Sequence, residues 1–219
     1  MKRAPLLIAN WKSRPDRVGE AIILARETVL WRSVHANAPV NIVLCPSDVF
    51  MKDVSGALGD VSVSLGAQDF TENISNSVKY VIVGHSSKRQ NGESDEVVHQ
   101  KLLSALNKEI IPILCVSTIK QVKSAFVGLD APDLKRVVVA YEPEWAISTS
   151  PGGHPDTPES ANMVISHIKE IIPITCLYGG SVDASNASAF LSMPEISGLL
   201  IGAASVRPGV FVKILDSAT

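Results

Sequence analysis

The sequence predicts an α/β protein, specifically a (β/α)8 barrel, and three observations support this fold class. Short β-branched runs alternate with longer helical patterns along the whole 219 residues, an order typical of α/β folds. Several runs are apolar throughout, as expected for parallel strands that are covered on both faces. Polar residues follow these runs with a regularity that hydrophobic patterning does not require. An open, doubly wound sheet is the alternative arrangement of the same elements.

Eight runs are predicted to form strands, because each is short, apolar and rich in β-branched residues. In chain order they are Leu6–Ala9, Val40–Cys45, Val61–Leu65, Val78–Val83, Ile110–Val116, Val137–Tyr141, Ile174–Tyr178 and Gly198–Ile201. Helical patterns are expected near residues 16–32, 48–58, 95–108, 118–127, 158–171, 184–191 and 208–215. Eight strands that alternate with helices are what a barrel requires.

Two helix starts carry clear signals, and one connection is unusually short. Thr157-Pro158-Glu159 and Ser94-Asp95-Glu96 each supply an N-cap residue followed by first-turn residues that helices favour. Only residues 66–77 separate the third and fourth strands, so the helix between them is expected to be reduced to a turn or absent. No linker divides the chain, and residues 1–219 are expected to form one compact domain.

Composition excludes several classes of protein. Hydrophobic residues make up 46% and charged residues 19%, which excludes a disordered chain. The formal net charge is −2, and the sequence shows no strongly basic stripe of the kind that nucleic-acid-binding proteins have. No apolar stretch approaches the roughly 20 residues that span a bilayer, so no membrane partner is expected.

The cysteines and the amino-terminal segment predict the cellular compartment of the protein. Cys45, Cys115 and Cys176 are widely spaced, and each lies inside or ends an apolar run. This predicts buried, reduced thiols and neither a disulfide framework nor a metal site. The basic start MKR is followed by too short an apolar run for a signal peptide. We therefore expect a cytoplasmic protein.

Polar residues and glycines follow the strand runs and predict a functional site. In a barrel the carboxyl ends of the strands converge on one face, where catalysis takes place. Any one of these residues alone could be a strand-end polar group that a loop satisfies, but their joint occurrence favours a site. They are Asn10, Lys12, Gln68, His85, Glu142, Gly179-Gly180-Ser181 and Gly202.

Six segments at these positions resemble the triosephosphate isomerase family. They occur in the family's order over nearly the whole chain: ANWK (9–12), VGHSSKR (83–89), NGESDEVVHQK (91–101), AYEPEWAI (140–147), YGGSV (178–182) and IGAAS (201–205). The resemblance implies a TIM (β/α)8 barrel and the interconversion of dihydroxyacetone phosphate and D-glyceraldehyde 3-phosphate, a step of glycolysis and gluconeogenesis. It also implies that neither a metal nor an organic cofactor is needed.

The resemblance implies a catalytic role for four side chains. Glu142 would be the base that moves the proton between adjacent carbons, and His85 the electrophile that stabilises the enediolate oxygen. Lys12 would neutralise the charge of the phosphate and the enediolate, and Asn10 would donate to a substrate oxygen. Without the resemblance, Lys12 alone is interpreted as an ordinary surface lysine.

The glycine turns after the last two strands would bind the substrate phosphate. Gly180 and Ser181, with Gly202 and Ala203, present backbone N–H groups that can approach a dianion closely. The segment Pro143–Gly153 would form a lid that contributes the Ser148 N–H. Gly pairs often form simple tight turns, and the PGGH stretch is equally consistent with a surface loop.

The sequence departs from the family in two places that matter. The family reads Gly-His-Ser-Glu where this chain has Ser87 as the last of the four residues, so a carboxylate beside the active-site lysine is absent. The loop after Gln68 is also much shorter than the family's, in which it inserts into the neighbouring subunit. The resemblance still favours a homodimer.

Two other functions remain open from the sequence. The first is a non-catalytic protein on the same scaffold that binds phosphate ligands or a partner, which the loss of the family carboxylate at Ser87 motivates. A binding protein has no need of a placed base such as Glu142. The second is a different phosphate-handling barrel enzyme, which would keep the glycine turns but would not explain the Asn10–Lys12 and Glu142–Trp145 segments.

Overall fold

The computed structural model describes residues 4–146 and 156–219, and its centre is a closed barrel of eight parallel strands. Each strand pairs with the next along the chain, and the last pairs with the first. This closure confirms the (β/α)8 barrel and excludes the open sheet. The strands are β1 Leu6–Asn10, β2 Asn41–Cys45, β3 Ser64–Ala67, β4 Tyr80–Val83, β5 Ile111–Val116, β6 Val138–Tyr141, β7 Thr175–Tyr178 and β8 Gly198–Ile201.

Helices connect the strands and cover the outside of the barrel. They are α1 Val18–Val34, α2 Met51–Leu58, α3 Ser86–Gln90, α4 Asp95–Asn107, α5 Ile119–Ala125, α6 Ala131–Leu134, α7 Pro158–Ile171, α8 Ala187–Ser192 and α9 Val210–Asp216. The helices α3 and α6 are not predicted, because each is too short to show the hydrophobic periodicity of a helix. Within the two described ranges, no helix is long and apolar enough to cross a membrane.

Both predicted helix starts are confirmed by their caps. The Thr157 hydroxyl accepts the N–H of Ser160 at the start of α7, and the Ser94 hydroxyl accepts the N–H of Val97 at the start of α4. Each bond satisfies one of the N–H groups that the first turn of a helix leaves unpaired. The segment 68–79 contains turns and no helix, as its shortness predicts.

The predicted position of the third strand is wrong by three residues at its start. The Val63 N–H bonds to the Val61 carbonyl at 2.7 Å, and this tight turn keeps residues 61–63 out of the sheet. The strand instead includes Gly66 and Ala67, which lack the β-branched signal. A Cβ on Gly66 would lie only 2.5 Å from the Cys45 Sγ, so packing inside the barrel requires the small residue.

Alternation along the strands divides the core into a layer inside the barrel and a layer under the helices. The inner layer is formed by Leu6, Ile8, Val43, Cys45, Ile82, Ile113, Cys115, Val138, Ala140, Leu177 and Leu200. Side chains two positions apart on a strand share a face. Asn10 therefore continues the inward series after Ile8, and Glu142 continues it after Ala140. Both lie at the carboxyl-terminal end of the barrel.

The three cysteines are free and buried, as predicted. Two of them, Cys45 and Cys115, belong to the inner layer, and Cys176 packs in the layer under the helices. Burial raises the pKa of the Cys45 and Cys176 thiols above the usual value, so both groups stay protonated and act as apolar packing residues.

Candidate active site

Asn10 and Lys12 lie at the carboxyl end of β1. Asn10 is buried, and its Oδ1 accepts the Lys12 N–H at 3.1 Å. Lys12 has a φ of 54°, in the left-handed region that residues with side chains rarely adopt. The Gln68 Nε2 donates to the Lys12 carbonyl at 2.8 Å and to the Cys45 carbonyl at 3.0 Å. Gln68 therefore fixes the unusual Lys12 backbone, a role that its position in the sequence does not reveal.

The Lys12 side chain extends from the end of β1 towards the neighbouring strand β8. Its Cε and Nζ lie 3.5 Å and 3.7 Å from the point that a Cβ on Gly202 would occupy. The lysine is therefore in van der Waals range of the turn after β8. This contact brings together two residues that the sequence separates by almost the whole chain.

His85 lies directly before α3, where it acts as the N-cap residue. Its side chain is buried, and its Nδ1 accepts the Ser87 N–H at 3.2 Å. Burial holds the pKa of His85 below its usual value; the Glu142 charge opposes this shift and the Lys12 charge adds to it. The imidazole is therefore neutral at neutral pH, and its position at the start of a helix favours the same state.

Glu142 directly follows β6 and is buried, with 3% of its surface exposed. Its N–H bonds to the Val116 carbonyl at 2.8 Å, which extends the pairing of β6 with β5 by one residue. Its Oε1 lies 3.5 Å from the His85 Nε2, and its Oε2 accepts the Ser86 N–H at 3.4 Å. A buried carboxylate thus faces a neutral imidazole, which is an arrangement suited to proton transfer.

The glycines after β7 are required by close contacts with the site. A Cβ on Gly179 would lie 2.8 Å from the Glu142 Cγ, and one on Gly180 would lie 2.1 Å from the Tyr178 hydroxyl oxygen. A side chain at either position would displace a neighbour. The Gly-Gly pair therefore does more than form a tight turn: it makes space for the carboxylate and for Tyr178.

Ser181 is bonded to the segment that follows Glu142. Its N–H and its hydroxyl both donate to the Ala146 carbonyl, at 3.0 Å and 2.8 Å. Ala146 ends a 3₁₀ turn that spans Glu144–Ala146. The remainder of the expected lid, with Ser148, lies outside the described residues.

Most of these groups line one cavity of about 390 Å³ at the carboxyl end of the barrel, whereas Glu142 does not line it and contacts His85, which does. The cavity brings together Asn10, Lys12, His85, Gly179, Gly180, Ser181, Gly202 and Ala203. Sequence reasoning missed further residues in its wall, because they lie in loops without a recognisable motif. Among these are Arg14, Asp183, Asn186 and Arg207. Asn186 donates to the Ser181 carbonyl at 3.0 Å and so shapes the turn after β7.

Comparisons with known protein families and sequences show the family of this chain. A model of the family described as triosephosphate isomerase matches residues 5–218. The chain belongs to the triosephosphate isomerase family. It is 32% identical to the triosephosphate isomerase of Caldanaerobacter subterraneus subsp. tengcongensis, over 98% of this chain and 99% of that protein. It is 34% identical to that of Rhodopirellula baltica, over 100% and 99% of the two chains. The identity to that of Dictyoglomus thermophilum is 35%, over 98% and 100%.

In this member of the triosephosphate isomerase family, the other described histidines do not line the cavity. The His35 Nδ1 lies 3.0 Å from the Trp31 carbonyl oxygen, and the His99 Nδ1 lies 2.9 Å from the Ala125 carbonyl oxygen. Both side chains thus bond to nearby backbone, while His167 is exposed on α7.

Cys115 is buried near Glu142. Burial and then the Glu142 charge raise the pKa of Cys115 well above the usual value, so this thiol remains protonated and serves packing.

Proposed function

We propose that this chain interconverts dihydroxyacetone phosphate and D-glyceraldehyde 3-phosphate, the isomerase reaction of its family, with Glu142 as the base and His85 as the electrophile. One observation carries most of the weight. The buried Glu142 carboxylate lies 3.5 Å from the Nε2 of His85, whose other ring nitrogen already accepts a backbone N–H. A base and a hydrogen-bond donor therefore flank the same small volume.

The proton transfer needs only these groups. Glu142 takes a proton from C1 of dihydroxyacetone phosphate, and the electron pair of that C–H bond moves towards the carbonyl oxygen to give an enediolate. His85 donates its Nε2–H to the enediolate oxygens, while the Lys12 charge stabilises them. The O1 hydroxyl proton must also move to O2: His85 gives its Nε2–H to O2 and takes the O1 proton in its place. Glu142 then returns the carbon proton to C2, which gives D-glyceraldehyde 3-phosphate and restores the enzyme.

The substrate phosphate would bind at the ends of β7 and β8. Backbone N–H groups of Gly180, Ser181, Gly202 and Ala203 are the proposed donors, together with the Lys12 ammonium. The Ser181 N–H is bonded to the Ala146 carbonyl, so phosphate binding would have to break that bond. Loss of this bond would release Ala146 and the residues before it, back to Glu142. The proposed donor Ser148 comes two residues after Ala146 in the sequence.

A coupled assay with D-glyceraldehyde 3-phosphate tests the proposal, using the parent, Glu142→Gln and Glu170→Gln. Loss of general-base catalysis costs about 10²–10⁴-fold in kcat, so Glu142→Gln should retain at most about 1% of parental turnover. Glu170 is an exposed residue of α7, and its variant should match the parent. An inactive but folded parent that still binds a triose phosphate would overturn the isomerase in favour of a binding protein.

We further propose that the chain forms one domain over residues 1–219, acts in the cytoplasm and assembles as a homodimer. The family match over residues 5–218 supports the single domain, and three free, buried thiols suit a reducing compartment. Family membership supports the dimer. Light scattering over a range of concentrations should give twice the mass of the 23.4 kDa chain; the mass of one chain at every concentration would refute it.

A further inference from the structure

Ser87 bonds to the catalytic imidazole through two of its atoms. It is the second residue of α3, and its hydroxyl oxygen lies 2.8 Å from the His85 Nδ1. Its backbone N–H points at the same nitrogen from 3.2 Å. Any residue at this position could supply the N–H, whereas the hydroxyl is a property of the serine.

The direction of both bonds follows from the chemistry of the donor groups. A backbone N–H can only donate, so the Nδ1 at which it points presents a lone pair and carries no proton. In a neutral imidazole the proton must then be on Nε2. The Ser87 hydroxyl, which can donate or accept, meets a nitrogen that can only accept, and it therefore donates.

We propose that Ser87 is a positioning residue for the isomerase reaction, whose hydroxyl adds a second bond that holds the Nε2–H tautomer of His85 in its orientation towards Glu142 and the substrate. This role rests on the proposed function, since it acts through His85. The family's carboxylate at this position could not donate to Nδ1 when ionised. Serine in place of the family's glutamate at position 87 therefore removes a negative charge from the site and also adds a hydrogen-bond donor to His85.

The charged groups around His85 come from several elements and act in both directions. Glu142 at the end of β6 and Glu93 before α4 favour protonation of the ring, while Lys12 after β1 and Lys88 in α3 disfavour it. The Ser87 backbone N–H also disfavours protonation of Nδ1, because it can only donate, whereas the hydroxyl can rotate and accept from a protonated Nδ1. Removing the hydroxyl should therefore lower kcat without making His85 easier to protonate.

The kinetic test compares the parent with Ser87→Ala, Ser87→Thr and Asn91→Ala. The loss of one neutral hydrogen bond predicts a drop of about 3–10-fold in kcat for Ser87→Ala, with KM changed by less than about twofold. The acid limb of its kcat/KM profile should stay at the parental pH, because the backbone N–H at Nδ1 remains. Ser87→Thr keeps a hydroxyl and should restore kcat. A loss of kcat in Ser87→Thr equal to that in Ser87→Ala would overturn the proposal.

Asn91→Ala separates positioning of the ring from stability of α3. The Asn91 side chain donates to the Ser87 carbonyl at 2.8 Å, so this variant loosens the same helix without touching Nδ1. Its kcat should equal that of the parent. If Asn91→Ala and Ser87→Ala lower kcat equally, the effect belongs to the helix and the proposal fails.

Nitrogen NMR of the imidazole gives a readout that does not need activity. In the parent, the Nδ1 signal should be that of an unprotonated nitrogen that accepts a hydrogen bond, and in Ser87→Ala it should move towards an unbonded nitrogen. Unchanged signals would refute the role of the hydroxyl. An inactive parent with the expected NMR change would instead refute the isomerase function and leave the Ser87–His85 bond established.

Discussion

The two ends of the barrel differ in the polar groups that they bring together more than in the space that they enclose. Of two cavities at the amino-terminal end, the larger has about 570 Å³ and no charged side chain among the described residues that line it. The other, of about 450 Å³, includes Lys135 and Arg136 but none of the predicted site residues. The cavity of about 390 Å³ at the carboxyl-terminal end contains Lys12, His85 and two arginines. Volume is therefore a poor guide to function here, while convergent polar groups mark the site.

The two ends also use glycine differently. At the amino-terminal end, a Cβ on Gly198 would lie 2.0 Å from the Leu6 carbonyl oxygen, so this glycine allows two backbones to approach. At the other end, Gly179 and Gly180 leave room for the side chains of Glu142 and Tyr178. Close packing thus serves the stability of the barrel at one end and the geometry of the site at the other.

The largest contrast between the ends should come from His85→Gln. Loss of one donor to a developing oxyanion costs about 10²–10³-fold in kcat, and KM should change little, because the bond strengthens in the transition state. The matched change at the larger amino-terminal cavity is Ser192→Ala, which should leave kcat unchanged. Steady-state kinetics measures both. An effect of His85→Gln on KM alone would reduce this residue to a binding role.

Lys12→Met should weaken the binding of phosphate at the carboxyl-terminal end. A hydrogen bond to a charged group contributes about 1.5–3 kcal/mol, so the Kd of a triose-phosphate analogue should rise about 10–100-fold. Isothermal titration calorimetry measures this change. Lys213→Met, which removes an exposed lysine of α9, is the control and should keep the parental Kd. Equal affinity in the two variants would refute the role of Lys12.

Gly198→Ala should destabilise the amino-terminal end without changing the chemistry. Forcing a methyl group against the Leu6 carbonyl should lower the free energy of unfolding by about 1–3 kcal/mol, while the folded fraction keeps its kcat. Gly56→Ala is the matched control, since Gly56 lies in α2 with no atom within 4 Å of the added Cβ. That variant should gain about 0.5–1 kcal/mol. Urea unfolding distinguishes them, and equal midpoints would contradict the packing argument.

The smallest effect should be a pH-dependent one at Asp69, beside α3. Burial alone would raise the pKa of Asp69, but hydrogen bonds and charges from Lys101 and Lys88 together lower it. A carboxylate whose pKa is lower in the folded state stabilises the protein at neutral pH, and this stabilisation is lost as the pH falls below about 4.

Asp69→Asn should therefore be less stable than the parent at pH 7, and the difference should shrink on acidification. Thermal melts between pH 7 and pH 3 measure it, with the exposed Asp60→Asn as the control. A constant difference across this range would show that the two lysine contacts contribute nothing through the charge of Asp69.

Much of the fold and of the site is determined by the sequence alone. The predicted strand Gly198–Ile201 and the predicted helix 158–171 have the boundaries that the structure shows. Their signals are local: an apolar run for the strand, and an N-cap followed by an amphipathic pattern for the helix. Family motifs also identified Asn10, Lys12, His85 and Glu142 as the groups to examine. Their convergence follows from parallel strands, since all the carboxyl ends lie on one face.

Only the tertiary structure decided the contacts between distant residues. Gln68 bonds to the backbone of Lys12, Gly179 makes room for Glu142, and neither relation has a sequence period that could predict it. The start of β3 at Ser64 follows from the tight turn at residues 61–63, which overrode their apolar signal, and packing of Gly66 against Cys45 requires a residue without β propensity. Even the bond from Ser87 to His85, two residues away, required a helix start that places the hydroxyl at Nδ1. Local patterns specify elements, whereas the closure of the barrel specifies which side chains meet.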